Sequence, residues 1–155
     1  MARVRIGAKV PDFKLPATGD QEIRLSDLRG KTVVLYFYPK DNTPGCTTEA
    51  AEFRDLYPRF KRRKAVVLGV SRDSVRAHEN FKAKLGLPFD LLSDSEEKVC
   101  TLFDVIKDKQ MYGRKVRGIE RSTFLIDADG VLRQAFRKVK AKGHAEEVLA
   151  ALKSL

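Results

Sequence analysis

Two cysteines, Cys46 and Cys100, are the candidate nucleophiles of this 155-residue chain, and Cys46 stands where a sulfur can be activated. The stretch Val33 to Glu49 reads VVLYFYPKDNTPGCTTE, a β-branched and aromatic run up to Pro39 followed by a polar turn that opens a helix. Thr43 is a good N-cap and Pro44 suits the first helical position, which sets Cys46 near the third. Backbone N–H groups in a first turn lack intrahelical partners and favour negative charge, so the position favours a thiolate. A thiolate is the nucleophilic form of cysteine, and its oxidation passes through a sulfenic acid.

The pattern Pro39-x-x-x-Thr43-x-x-Cys46, followed by Glu49, resembles the peroxidatic cysteine motif of peroxiredoxins. In its wider form, YPKDNTPGCTTEA from Tyr38 to Ala50, it is similar to the peroxiredoxin Q, or bacterioferritin comigratory protein, branch. Further likenesses are the opening G-x-x-V-P-D-F at Gly7 to Phe13, with Val10 where the family commonly has Ala, the S-x-D at Ser71 to Asp73, LPFDLLSD from Leu87, and RSTFLID from Arg121. The resemblance implies a thiol peroxidase that reduces hydrogen peroxide and organic hydroperoxides, without cofactor or metal. It implies that Cys46 attacks a peroxide oxygen, that Arg121 holds thiolate and peroxide together, and that the Thr43 hydroxyl hydrogen-bonds the peroxide. It further implies that Pro39 shields the sulfur and that Glu49 orients the arginine.

Magnitudes explain why a cation is needed beside the sulfur. Lowering a thiol pKa from ~8.5 to ~6 raises the thiolate fraction at neutral pH by only about 30-fold, and lower basicity weakens the nucleophile in turn. The transition state, where charge grows on the departing oxygen, must be stabilised as well. Arg121 lies immediately before an apolar strand, and its planar fork suits that task.

Regeneration of the thiol departs from a common family pattern. Many relatives carry a resolving cysteine five residues after the first, where this chain has Ala51, and others carry one in the next helix, where Phe81, Lys82 and Ala83 stand. Cys100, 54 residues beyond Cys46, is the remaining candidate, but Val99 and Phe103 beside it read as core-facing and mark it as a buried hydrophobe. One-cysteine behaviour is therefore expected, with glutathione, glutaredoxin or thioredoxin as external reductant.

The elements that must position these residues alternate in type. A hairpin around Gly19-Asp20, a buried strand from Lys31 to Tyr38, the Cys46 helix with a kink or restart near Tyr57 caused by Pro58, and a buried strand from Ala65 to Val70 come first. A helix from Val75 to Leu85 ending at Gly86, a short strand around Phe89 to Leu92, and a helix from Ser95 to Phe103 with a Ser93/Glu96 capping box follow. Asp104 to Arg117 reads as an exposed loop, Arg121 to Phe136 as a hairpin, and Ala145 to Leu155 as a final helix. With the motif, this order implies an α/β, thioredoxin-like fold: a central mixed sheet with helices on both faces and an N-terminal β-hairpin, in one domain spanning residues 1–155.

Composition bounds the alternatives. With 43% hydrophobic and 34% charged residues the chain is neither disordered nor membrane-spanning, and MARVRIGAKVPDF lacks the apolar stretch of a signal peptide, so a cytoplasmic location is expected. The net charge is +10, and Val105 to Lys142 supplies +7 of it. A basic nucleic-acid-binding or chaperone-like module is the alternative reading, although the charges are not set in a nucleic-acid motif, and no specific nucleic-acid partner is expected. A disulfide reductase would need Cys-x-x-Cys, a glutathione peroxidase a Trp that the chain lacks, and a cysteine hydrolase a triad around His78 or His144, which read as surface residues. Two His and two Cys lack metal-ligand spacing, and a monomer or weak homodimer is expected.

Overall fold

The computed structural model describes residues 4–155, apart from the side chain of Met111, so Met1 to Arg3 of the N-terminal stretch lie outside the described residues. Strands β1 (Lys14–Ala17) and β2 (Gln21–Arg24) form the N-terminal hairpin, and a 3-10 turn, Leu25–Leu28, leads to β3 (Thr32–Phe37). Helix α1 (Pro44–Arg62) crosses to β4 (Ala65–Ser71), and α2 (Val75–Leu85) crosses to β5 (Asp90–Ser93). Then come α3 (Lys98–Leu102), the pair β6 (Ile106–Met111) and β7 (Arg114–Ile119), the pair β8 (Ser122–Ile126) and β9 (Leu132–Phe136), and α4 (His144–Leu152).

The central mixed sheet that the resemblance implied has seven strands, in the order β2-β1-β5-β4-β3-β8-β9. The β3, β4 and β5 strands pair in parallel because a helix intervenes each time, whereas β8 and β9, joined by the tight Asp127 to Gly130 turn, pair antiparallel. The N-terminal hairpin attaches through β1 to β5 at Ala17 opposite Leu92.

Alternation along β3 creates two cores. Val33, Leu35 and Phe37 face one side with Val99, Cys100 and Phe103 around α3, while Val34, Tyr36 and Tyr38 face the other with Cys46, Ala50, Phe53 and Phe60 of α1, Phe81 of α2 and Val148 of α4. Helices thus cover both faces. No helix among the described residues is long and apolar enough to cross a membrane.

Three local expectations change. Asp104 to Arg117 is not a loop: β6 and β7 form a separate two-stranded hairpin in register from Ile106 opposite Ile119 to Met111 opposite Arg114. Its turn is Tyr112-Gly113, both at positive φ (52° and 75°), the geometry that matches strand twist in a two-residue hairpin. Because Arg114 to Arg117 are all exposed, the hairpin carries no apolar alternation to reveal it. The Ser93/Glu96 capping box does not form either. Ser93 Oγ donates to the Asp73 carbonyl at 2.6 Å, helix α3 is only Lys98–Leu102, and its Cys100 N–H donates instead to Asp94 Oδ2 at 2.7 Å. Finally, α1 runs uninterrupted through Pro58. One missing N–H removes one hydrogen bond, and Phe53 and Phe60, both fully buried, hold the helix on the sheet on either side of the proline.

Gly69, mid-β4, is required by close approach. A Cβ there would lie 2.8 Å from Leu91 Cδ2 and 2.9 Å from the Tyr36 ring and hydroxyl, and Tyr36 is itself stacked on Phe53 at 4.7 Å. Gly69→Ala is expected to destabilise the fold by about 1–3 kcal/mol through overpacking, read as a lower urea midpoint with an unchanged m value.

Candidate active site

Helix α1 begins where the sequence places it: Thr43 is extended (φ −99°, ψ 155°), Pro44 is the first helical residue, and Cys46 is the third. The Thr43 side chain does not cap the helix. Its Oγ1 donates instead to the Lys40 carbonyl at 2.8 Å, and the Thr43 carbonyl accepts the Thr47 N–H at 2.8 Å. The sulfur of Cys46 is buried, its residue being 2% exposed, at the C-terminal end of the parallel strands.

Arg121 reaches this sulfur from the neighbouring strand, 75 residues away in sequence. It lies just before β8, which pairs with β3 from Val33 opposite Ile126 to Phe37 opposite Ser122, so the strand pairing delivers the guanidinium to the mouth of α1. Nη2 is 3.5 Å from Cys46 Sγ, and Nη1 donates to Glu49 Oε1 at 2.6 Å. Gly45 permits the approach: a Cβ there would stand 3.0 Å from Nη2.

Glu49 is fully buried, one turn after Cys46. Burial pushes its carboxyl up to about 7, with the charge and hydrogen bond of Arg121 opposing the shift. Its second oxygen, Oε2, accepts no hydrogen bond among the described residues. Burial works against the Arg121 charge, but Glu49 and Cys46 outweigh it and hold that pKa above its usual value. The structure therefore brings Cys46, Arg121 and Glu49 into contact. Pro39, half-buried, lines with Arg121 and the charged residues Lys107, Asp108, Lys109, Glu120 and Lys138 an open cavity of about 500 Å³ beside the sulfur's loop.

Cys100 is placed apart, on α3 in the opposite core. Burial and the neighbouring Asp94 raise its pKa well beyond the usual thiol range, which disfavours its thiolate. Both cysteines are free thiols. His78 and His144, expected on the surface, are buried at 0% and 2% exposure. His144 fits because Thr123 Oγ1 meets its Nε2 at 2.7 Å and Phe53 and Phe136 pack edge-on against the ring, an environment whose burial lowers its pKa. For His78, the only sequence signal is its place three residues before Phe81 on the buried stripe of α2.

Since the folded-state pKa of Glu49 lies above its ordinary 4.5, the folded state binds the extra proton, and the group's contribution to stability falls as pH rises from 4.5 to about 7. The stability difference between the wild type and Glu49→Gln should therefore change by up to about 3 kcal/mol across that window and stay flat above it, as measured by urea unfolding at successive pH values.

Comparison with known proteins points the same way as this geometry. Residues 6–135 match the AhpC/TSA family. The chain is 52% identical over 153 residues to "Peroxiredoxin Bcp" of Xanthomonas campestris, covering 99% of this chain and 96% of that one. It is 50% identical over 149 residues to "Putative peroxiredoxin bcp" of Coxiella burnetii, covering 96% and 99%. Among solved structures, a cysteine-to-serine mutant of Xylella fastidiosa PrxQ superposes with a TM-score of 0.92 at 50% identity, over 97% of this chain and 96% of that one. The Xanthomonas campestris bacterioferritin comigratory protein, described for its alkyl peroxide reduction activity, superposes with a TM-score of 0.90 at 51% identity, over 99% and 98%. A mixed sheet carrying a cysteine at a helix mouth with an arginine on its sulfur, and likeness at this level along nearly the whole chain, make it a member of the AhpC/TSA family in its peroxiredoxin Bcp branch.

Proposed function

We propose that the chain acts as a single-domain thiol peroxidase that reduces hydrogen peroxide and organic hydroperoxides at Cys46 and is recycled by an external thiol. The observation that carries this reading is the shared guanidinium: Arg121 meets Cys46 Sγ at 3.5 Å with one arm while Glu49 holds the other at 2.6 Å. A cation fixed in that way can stabilise both the attacking sulfur and the oxygen on which charge grows.

In the reaction, the Cys46 thiolate attacks the terminal peroxide oxygen and the O–O bond breaks. The bond's electron pair leaves on hydroxide or alkoxide, which takes up a proton to become water or alcohol, and the sulfur, oxidised by two electrons, becomes a sulfenic acid. Thr43 supports the geometry, since donation of its hydroxyl hydrogen to the Lys40 carbonyl leaves the oxygen's lone pairs to accept from the peroxide O–H. Pro39, lining the cavity beside Arg121, limits water at the sulfur.

Recycling by two external thiols balances the electrons: the first condenses with the sulfenic acid to a mixed disulfide and water, and the second displaces Cys46 and leaves as disulfide. Thioredoxin, glutaredoxin or glutathione supplies them in a reducing, cytoplasmic setting, to a monomer or weak homodimer. The one-cysteine route is supported by the sheet itself, because helix and sheet layers lie ~10 Å apart and a disulfide needs Cα atoms within about 7 Å. Cys46 and Cys100 pack in cores on opposite faces of β3.

Peroxide consumption with each reductant is expected to vanish in Cys46→Ser and to persist in Cys100→Ser, with no Cys46–Cys100 cross-linked peptide in the oxidised wild type. Loss of turnover in a folded Cys100→Ser variant, or recovery of that peptide, would contradict the one-cysteine route.

A further inference from the structure

The segment between β3 and α1, which carries both Pro39 and Thr43, is tied to the rest of the fold through Asp41. Asp41, 7% exposed, is held through its N–H and both carboxylate oxygens: the N–H donates to Asp73 Oδ2 at 2.9 Å, Oδ1 accepts the Tyr38 hydroxyl at 2.6 Å, and Oδ2 meets His78 Nδ1 at 2.7 Å. Asp73 is fixed in turn by the Ser71 hydroxyl, and Lys84 on α2 donates to Asn42 Oδ1 at 2.7 Å. Asn42 itself sits at a φ of 63°, a left-handed conformation that the surrounding contacts must hold.

His78 is the inward end of this arrangement. It is fully buried, and its Nε2 lies 2.9 Å from the Leu92 carbonyl on β5. A carbonyl oxygen only accepts, so Nε2 carries a proton; Nδ1 faces a carboxylate oxygen, so a second proton lies between His78 and Asp41. The ligand atoms of Asp41, Asp73 and His78 fall within 4.8 Å of one another, but each already holds a hydrogen bond inside the protein, and the Nδ1 to Oδ2 contact leaves no lone pair free on the nitrogen. The ring therefore links three separate elements: α2 that bears it, β5 through Leu92, and the active-site loop through Asp41.

We propose that His78 is a positioning residue for peroxide reduction, clamping Asp41 and with it the loop that sets Pro39 and the Thr43 hydroxyl over Cys46. The inference rests on the peroxidase reading. Its route is short: the carbonyl that aims Thr43 Oγ1 belongs to Lys40, the residue next to Asp41. Removing the imidazole leaves Oδ2 of the buried Asp41 carboxylate without its partner, and the loop relaxes toward water. A displacement of about 1 Å at a reacting centre can lower a rate by up to ~100-fold.

The test separates orientation from simple reactivity. Alkylation of Cys46 by iodoacetamide needs an accessible thiolate, whereas peroxide also needs Thr43, Pro39 and Arg121 in register. Second-order rates with hydrogen peroxide and with iodoacetamide, assigned to Cys46 by peptide mass, are measured at one pH for the wild type, His78→Gln and Tyr38→Phe, alongside melting temperatures. The clamp predicts that the peroxide-to-iodoacetamide ratio falls at least about 10-fold in His78→Gln and about threefold in Tyr38→Phe, which keeps the imidazole and loses the hydroxyl that meets Asp41 Oδ1 at 2.6 Å and His78 Nδ1 at 3.4 Å. A merely structural role lowers the melting temperature and leaves the ratio within twofold of wild type, which overturns the proposal. Should His78→Gln not fold, an unchanged ratio in Tyr38→Phe overturns it equally. A wild-type chain inert to peroxide overturns the peroxidase reading and the clamp together, whereas an active wild type with unchanged ratios overturns the clamp alone.

Discussion

The structure depends on one guanidinium held between a buried carboxyl and a buried sulfur. Glu49 is taken wholly out of water at the first turns of α1, where an unpaired carboxylate would be costly, and Arg121 is its hydrogen-bonded partner. That need fixes Nη1 and, because the guanidinium is planar and rigid, aims Nη2 at the sulfur. Lysine could satisfy the charge but not both directions. The absent side chain of Gly45 completes the geometry, since the cation passes where a Cβ would stand. The same burial that makes Glu49 a costly neighbour thus makes it an effective anchor.

The sheet supplies the frame for that triplet and at the same time divides the chain's redox chemistry. Pairing of β3 with β8 brings Arg121 to the end of the strand that leads into the Cys46 loop, while the pleat of β3 sorts its residues into two separate cores. Cys46 falls in one and Cys100 in the other. Beside Asp94, and buried on the α3 side, Cys100 is held as a neutral thiol, and its surroundings are those of a packed apolar residue. The separate β6–β7 hairpin contributes Lys107, Asp108 and Lys109 to the lining of the cavity next to Arg121, where Lys138 adds a further positive charge and Glu120 a negative one.

Much of this was legible in the chain because local chemistry and long-range structure agree. A β-branched run, a proline and a Thr-Pro-Gly-Cys turn define strand, loop and helix start from neighbours alone, and Gly86 stops α2 at a φ of 64° as a helix-ending glycine does. What stayed hidden depends on contacts that cross the sequence. Nothing beside Glu49 announces that it is buried, because its partner lies 72 residues away. His78 and His144 read as surface residues since a histidine's burial is set by what meets its two nitrogens, here Asp41 and Leu92 in one case and Thr123 and Glu147 in the other. The β6 and β7 hairpin was missed because a solvent-exposed ribbon needs no hydrophobic alternation, and its turn uses Tyr112-Gly113 rather than Asn-Gly.

The central claim is that the reactivity of Cys46 toward peroxide depends on the cation that Glu49 holds against it. It is tested most directly by the rate of sulfenic acid formation at Cys46, trapped with dimedone and located by peptide mass, in the wild type and in Arg121→Gln. The account predicts a single adduct on Cys46 and a rate about 100-fold slower in the variant, the scale of losing one preorganised charge-stabilising donor. Equal rates in the two proteins, or an adduct found on Cys100 instead, would contradict it.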